Sequence, residues 1–326
     1  MTENKDKKIF IGVDEAGYGP NLGPLLIAAS AWEAPASFTE TEIIDCFAKF
    51  SGGKAWSQNC SHVPLADSKK LYQPSTGLLS LEAGLLSMLG LLGRKPQCLQ
   101  TLLKSSCHSE SGIASDMPWF ANLDQIILPK GAIEWAELQR LGDSARRVLD
   151  EYQIRLLDIR AAVVSESEFN SGVAQLDSKG LLLSRKTLQL VVSMLEDVSQ
   201  PAEVFCDRQG GRKNYMPILI DAFPDQWFTE LSSTNVRCSY RNQEQPSIDI
   251  HFSVGGDNFP PTALASMLAK YLRECLMGAF NSFWQSHLPE IKPTAGYPVD
   301  AKRFRNQIES KAEALGLANQ DWWRSR

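Results

Sequence analysis

Four carboxylates in this sequence stand where chemistry is commonly placed. Asp14 and Glu15 close a β-branched run, Lys8 to Val13 (KIFIGV). Asp207 closes a second short apolar run, Glu203 to Asp207 (EVFCD). Asp257 lies in a Gly-rich turn, GGDNFPP, just before a long helical stretch. Strand ends and helix starts are where open α/β sheets hold their sites. Carboxylates that meet at one place repel each other, and a cation usually neutralises such a cluster. Hard oxygen ligands suit Mg²⁺ or Mn²⁺. Two such ions can activate a water and stabilise the leaving oxygen in phosphodiester cleavage. Position alone leaves a second account open, because a strand-end aspartate also serves as a turn or cap residue.

The elements that must position these residues read as mixed α/β. After the first strand, Gly17, Gly19, Pro20, Gly23 and Pro24 form a turn region, and Leu25 to Trp32 returns as a second strand. Leu78 to Leu92 reads as a buried helix and Lys104 to Pro118 as a polar loop. Ile133 to Tyr152 carries a helical stripe of Trp135, Leu138, Leu141, Ala145, Val148, Leu149 and Tyr152. Ile159 to Val164 is strand-like, and Leu181, Leu188, Val191, Val192 and Leu195 share one helical face. Val236 to Tyr240 and Ile248 to Val254 alternate as strands do. Pro261 opens a long helix, since proline suits a first turn that does not need its N–H. A last helix spans Ala301 to Leu315, followed by a tail with Trp322 and Trp323.

The chain has 326 residues, a length that suits about two domains of ~150 residues. Its 33 Lys and Arg against 38 Asp and Glu give a net charge of −5, which argues against holding polyphosphate by bulk positive charge. Nucleic acid would have to meet a local basic patch, or metal ions offsetting the carboxylates. Seven cysteines with no C-x-x-C pair, and only four histidines, argue against a zinc site. The most lipid-like window, Leu78 to Leu92, is 15 residues long and carries Glu82 and two glycines, too short and interrupted to span a bilayer. The expectation is a cytoplasmic protein with reduced thiols and no membrane partner.

The motif content goes further. Ile11 to Pro24, IGVDEAGYGPNLGP, resembles the opening of the type 2 ribonuclease H family (ribonuclease HII), G-x-D-E-A-G-R-G-x-x-x-G-P. Asp67-Ser68-Lys69-Lys70-Leu71 resembles that family's D-S-K-K-L segment. Cys206-Asp207 stands where the family's third catalytic aspartate ends a strand. Gly256-Asp257, then Ala265-Ser266, Ala269-Lys270 and Arg273-Glu274, is similar to its G-D, A-S-I-x-A-K, R-D block. Gly296-Tyr297-Pro298 resembles its G-Y-G/P segment. The five blocks keep the family order over residues 9–74 and about 155–305. The resemblance implies a ribonuclease H-like α/β fold, a mixed sheet flanked by helices. Residues 1–74 and 151–305 would form a discontinuous catalytic domain, 75–150 a mostly helical insertion, and 306–326 a C-terminal helix and tail.

The same resemblance implies a metal-dependent endoribonuclease acting on the RNA strand of RNA–DNA hybrids, or on ribonucleotides embedded in DNA. Asp14, Glu15, Asp207 and Asp257 match its metal-binding carboxylates, which take Mg²⁺ or Mn²⁺. Gly17 and Gly19 match the glycines whose backbone contacts the ribose 2′-OH, the group that separates RNA from DNA. Tyr18, Ser68 and Lys69 fall among the substrate-contacting positions. Lys270 and Arg273 match basic residues of the long helix. With Ser266 they share one face, a pattern that fits phosphate contact and a plain solvated face alike. Tyr297 matches a tyrosine that stacks on a sugar near the cleaved bond. Three departures stand out: Tyr18 replaces the arginine of G-R-G, Glu274 replaces an aspartate, and the Thr and His after the G-Y-G/P segment are lost. The Tyr18 change, the 75–150 insertion and the acidic net charge motivate an alternative, a nucleic-acid-binding or assembly protein on this fold with altered or lost activity. Four retained acids argue against a pure binder, because negative charge near phosphate weakens binding.

Overall fold

Ile9, Phe10, Ile11 and Val13 give β1 (Lys7–Ala16) apolar residues on both faces, as in a strand buried from both sides. The computed structural model describes residues 6–58, 60–72, 77–107, 117–209 and 212–325, with the backbone alone at Asp257. In chain order, β1 is followed by β2 (Leu25–Pro35), α1 (Glu40–Phe47), the two-residue strands β3 (Ser51–Gly52) and β4 (Val63–Pro64), and α2 (Ser68–Leu71). Then come α3 (Leu79–Leu91), α4 (Leu99–Ser106), α5 (Trp135–Glu151), β5 (Arg155–Val164), α6 (Glu166–Leu176) and α7 (Lys179–Leu195). The chain continues with β6 (Ala202–Asp207), α8 (Met216–Ala222), β7 (Phe228–Ser233), β8 (Arg237–Asn242), β9 (Ile248–Ser253), α9 (Pro260–His287) and α10 (Pro298–Ala314).

Among the described residues the main sheet has seven strands in the order β5-β2-β1-β6-β9-β8-β7. Its centre is parallel: β1 pairs with β6 and β6 with β9, whereas the flanking pairs are antiparallel. Alternation along β1 sends Phe10 to one core, with Leu264, Leu268 and Leu272 of α9. Ile9, Ile11 and Val13 enter the other, with Leu188 and Val191 of α7. The fold is therefore a mixed α/β sheet with helices on both faces, as the resemblance implies.

Helix α3 is buried all round, and its Leu81, Leu85 and Met88 share one core with α9, α4 and α5. The polar loop expected over Lys104 to Pro118 needs correction at its start. Leu99, Leu102, Leu103 and Ser106 make one buried face, and that face carries α4 through Ser106. Residues 108–116 of the expected loop lie outside the described residues. Helix α10 crosses the boundary drawn at 305/306 from the motifs. No helix among the described residues is long and apolar enough to cross a membrane.

Candidate functional site

The site is built where α9 starts against β1. A Cβ on Gly12 would lie 2.0 Å from the Thr262 nitrogen, so only glycine lets the helix rest on the strand here. Ser30 Oγ donates to the Pro261 carbonyl at 2.7 Å, fastening the same turn to β2. This seating brings Ser266, one turn along α9, near Asp14, where its hydroxyl favours the ionised carboxylate. Ser266 Oγ also lies 2.9 Å from Ser68 Oγ at the start of α2.

The parallel centre of the sheet delivers the carboxylates to one edge. Val13 pairs with Cys206 and Cys206 with Phe252, so β1, β6 and β9 run out together. One residue on, Asp14, still within β1, lies beside Asp207, the last residue of β6; β1 continues to Ala16, beyond the strand end expected at the acidic pair. Asp207 Oδ1 accepts from the Gly256 N–H at 3.2 Å, which sets the one-turn helix Gly256–Asn258, bearing Asp257, beside it. The side chain of Asp257 lies outside the described residues.

Burial dominates the electrostatics here. It pushes the Asp14 carboxyl up to about 7; the Ser266 hydrogen bond opposes this and the neighbouring Asp207 adds to it. Glu15 rises to about 8, again mainly through burial, then through repulsion from Asp14 and Asp207. Lys69 moderates both. Among the described residues no three His, Cys, Asp or Glu side chains form a ready-made metal cluster. Asp14, Glu15 and Asp207 are half-buried oxygen donors of like charge, the donor type that a hard divalent cation takes.

The expected substrate contacts divide into two groups. Gly17, at φ +90°, has a backbone that favours glycine, and a Cβ there would meet the Pro24 carbonyl at 2.8 Å. Gly19 faces open space, so crowding does not require its glycine. Tyr18 packs at the margin of the α7 core with Lys179 Nζ 4.8 Å from its ring centroid. Its hydroxyl feels Glu15 and Arg212. Lys69 is exposed beside the carboxylates, and its N–H is held by Asp67 Oδ1 at 3.1 Å. Tyr297 is 56% exposed, and the adjacent Gly296 carbonyl accepts from Asn21 N–H at 2.8 Å, tying this segment to the glycine loop.

Lys270 and Arg273 do not present the solvated face that their spacing allowed. Lys270 Nζ binds Glu274 Oε1 at 2.6 Å and lies 4.5 Å over the Tyr72 ring. Arg273 is 3% exposed and donates to the carbonyls of Pro24, Leu22 and Ala295 at 2.5, 3.0 and 3.2 Å. Its charge shapes the glycine loop from inside. Sequence reasoning missed Glu166, Arg324 and Lys179 around this loop. Glu166 and Arg324 belong to no motif block, and a lone acid or base at a helix start or in a tail gives no pattern.

No family model matches the chain, and no curated protein matches it. Solved structures do. The ribonuclease H2 of Pyrococcus horikoshii OT3 is 14% identical, covering 96% of this chain and 92% of its own, with a TM-score of 0.47. RNase HII of Archaeoglobus fulgidus, solved with PCNA, is 14% identical over 98% of this chain and 94% of its own, with a TM-score of 0.43. Bst-RNase HIII in complex with Mn²⁺ is 13% identical over 99% and 67%, with a TM-score of 0.40.

Proposed function

We propose that the chain is a metal-dependent endoribonuclease that hydrolyses the RNA strand of RNA–DNA hybrids, or ribonucleotides embedded in DNA. The observation that carries this reading is the convergence of the motif carboxylates. Asp14 and Asp207 stand side by side on the adjacent parallel strands β1 and β6, and Asp14, Glu15 and Asp207 are near enough to feel one another's charge, which supports a shared site beside the turn bearing Asp257 and the Gly17–Gly19 loop. Asp14, Glu15, Asp207 and Asp257 would hold Mg²⁺ or Mn²⁺, which supplies activation of water and stabilisation of the leaving 3′-oxygen when bound. The Ser266 hydroxyl and Lys69 each offset part of the burial penalty on the Asp14 charge. The loop backbone at Gly17 and Gly19 approaches the ribose, and the Tyr297 ring offers a stacking face. In this reading residues 1–74 and 151–305 form the catalytic unit, and 75–150 is added to it.

The test is cleavage of three labelled substrates with Mg²⁺ or Mn²⁺: a duplex with one ribonucleotide, a uniform RNA–DNA hybrid, and plain RNA. Cleavage of either of the first two, abolished by a chelator, is expected. Binding without cleavage in both metals would make the chain a hybrid-binding protein instead. Preference for plain RNA would move the substrate to structured or single-stranded RNA.

Tyr18 gives a separable expectation. A ring with an ammonium over it offers stacking and a nearby cation in place of the family's arginine. Base–aromatic stacking is worth ~1–3 kcal/mol. Tyr18→Ala is therefore expected to weaken hybrid binding by about 5- to 150-fold at every salt concentration. Tyr18→Arg should steepen the salt dependence, because an added cation at phosphate releases counterions. Both are read from hybrid affinity with Ca²⁺ in place of Mg²⁺. Parental affinity in Tyr18→Ala would make the residue a bystander.

A further inference from the structure

Three buried charged side chains, from three distant parts of the chain, converge on the loop that joins β1 to β2. Arg273 of α9 donates to the Leu22 and Pro24 carbonyls. Glu166, the first residue of α6, accepts the Gly23 N–H on Oε1 at 3.0 Å. Arg324, in the tail after α10, donates from Nη2 to the Gly17 carbonyl at 2.6 Å and also to the Pro20 carbonyl. Glu166 and Arg324 are each 1% exposed. The Glu166 carboxylate feels both guanidinium charges. Five backbone groups of one short loop are thus held by an Arg–Glu–Arg set that is itself out of water.

The tail is fastened at the same place. Arg324 N–H donates to the Asn21 carbonyl at 2.8 Å, and the Arg324 carbonyl accepts from Asn21 Nδ2 at 3.0 Å. Asn170 of α6 donates from Nδ2 to the Trp323 carbonyl at 2.8 Å and accepts the Ser325 N–H at 2.8 Å. The guanidinium of Arg324 lies 4.6 Å over the Phe169 ring, and Trp322 is buried in the α9 core. A buried charge is stable only when its surroundings compensate it. An arginine sunk into a loop beside the carboxylates is compensated mainly by that loop's carbonyls and by Glu166, so the shape of each depends on the other.

We propose that the C-terminal arm, Trp322–Ser325, positions the glycine loop, and that Arg324 together with Glu166 and Arg273 fixes the conformation that discriminates ribose from deoxyribose. The proposal rests on the reading of Gly17 and Gly19 given under the proposed function. None of the three charged residues touches substrate; each acts through the loop backbone. Preference for a ribonucleotide then depends on the arm, while the carboxylates do not.

The experiment uses the full chain with Arg324→Gln, Arg324→Lys and Asn170→Ala. The last loosens the arm from α6 without removing a buried charge, so it remains informative if Arg324→Gln folds poorly. Amide exchange over residues 17–23 is measured in the metal-free protein, together with affinity, in Ca²⁺, for a duplex carrying one ribonucleotide and for its all-DNA counterpart. Binding of Mn²⁺ alone is the control. Exchange in the loop should speed up in Arg324→Gln and Asn170→Ala, and the ribo-to-deoxy affinity ratio should fall by about tenfold in Arg324→Gln, the scale of one lost hydrogen bond. Arg324→Lys should restore part of the ratio, and Mn²⁺ binding should hold. Unchanged exchange, or faster exchange with an unchanged ratio, overturns the proposal, as does an equal loss of Mn²⁺ binding. If the parent chain binds both duplexes alike, the reading of Gly17 and Gly19 as ribose contacts fails, and the exchange result still decides whether the arm holds the loop.

Discussion

Asp14→Asn is expected to abolish cleavage while making the metal-free protein more stable at pH 8. Loss of activity follows from removing one proposed metal ligand. Outer-shell partners of a metal already cost ~10–100-fold, so a direct ligand should cost at least ~100-fold. The gain in stability follows from the direction of the shifts. Folding raises Asp14 from 3.8 to about 7 and Glu15 from 4.5 to about 8. Both carboxyls therefore bind protons more tightly in the folded protein. Their favourable contribution is complete below about pH 4 and is lost as pH rises through 7 to 8. At ~1.4 kcal/mol per pH unit, that loss is on the order of a few kcal/mol. Asparagine removes the share due to Asp14 and also relieves Glu15, for which the Asp14 charge is the second cause after burial.

A divalent ion should act in the same direction as the substitution, by neutralising charge that burial disfavours. Binding to the folded state alone adds ~2.7 kcal/mol at a hundredfold excess over the dissociation constant. The parent should thus be stabilised by Mn²⁺ at pH 8 more than Asp14→Asn is, and without metal the gap between the two should narrow as pH falls from 8 to 5. Urea unfolding of both proteins from pH 5 to 8, with chelator or with Mn²⁺, measures this. A variant that cleaves at the parental rate would remove Asp14 from the proposed ligands. A parent whose metal-free stability does not fall relative to the variant as pH rises would show that the carboxylates are not strained by burial.

Much of this site is legible in the sequence, because strands announce themselves by composition. KIFIGV and EVFCD can only be satisfied by burial, and a parallel pair of such strands puts their terminal carboxylates side by side. The apolar stripe of α9 is equally plain, since it repeats over many turns. Short elements are less so. Helix α6 is marked by the Ser165 cap, whose Oγ accepts the Glu168 N–H at 3.2 Å, but its buried face is only Glu166 and Phe169, too little for a periodic signal. The role of Arg273 is hidden in the sequence for a related reason. Its i, i+4, i+7 relation to Ser266 and Lys270 is correct, yet helical spacing says nothing about whether that face meets water or a loop that returns from far away in the chain. Arg324 is further still from any local pattern, since its partners, Gly17 and Pro20, lie at the other end of the sequence.

Glu82→Ala is expected to destabilise the fold by ~3–5 kcal/mol, the range for breaking a buried charged network. Glu82 is 0% exposed, within α3. Its carboxylate accepts from Tyr271 Oη at 2.6 Å, from the Gly131 N–H at 2.6 Å, and from the Lys130 N–H. One side chain therefore joins α3, the segment leading to α5, and α9. Burial pushes the Tyr271 hydroxyl well above its ordinary range, which keeps it a proton donor to the carboxylate. Alanine strands three buried donors, each worth ~1–3 kcal/mol when left unmade, and opens a cavity as well. Glutamine keeps one acceptor but turns an amide N–H₂ toward a donor, so its loss should be intermediate. Tyr271→Phe removes a single donor and leaves the two backbone N–H groups satisfied, so it should cost least, about 1 kcal/mol. Because the three donors share one acceptor group, the losses in Glu82→Ala and Tyr271→Phe should not add in the double variant. Urea unfolding of the parent and the four variants gives the comparison, and a Glu82→Ala variant within about 1 kcal/mol of the parent would show that water replaces the carboxylate. Mn²⁺ binding by the folded fraction should be unchanged, since Glu82 meets α9 at Tyr271, whereas Asp14 meets the same helix at Ser266, more than a turn away.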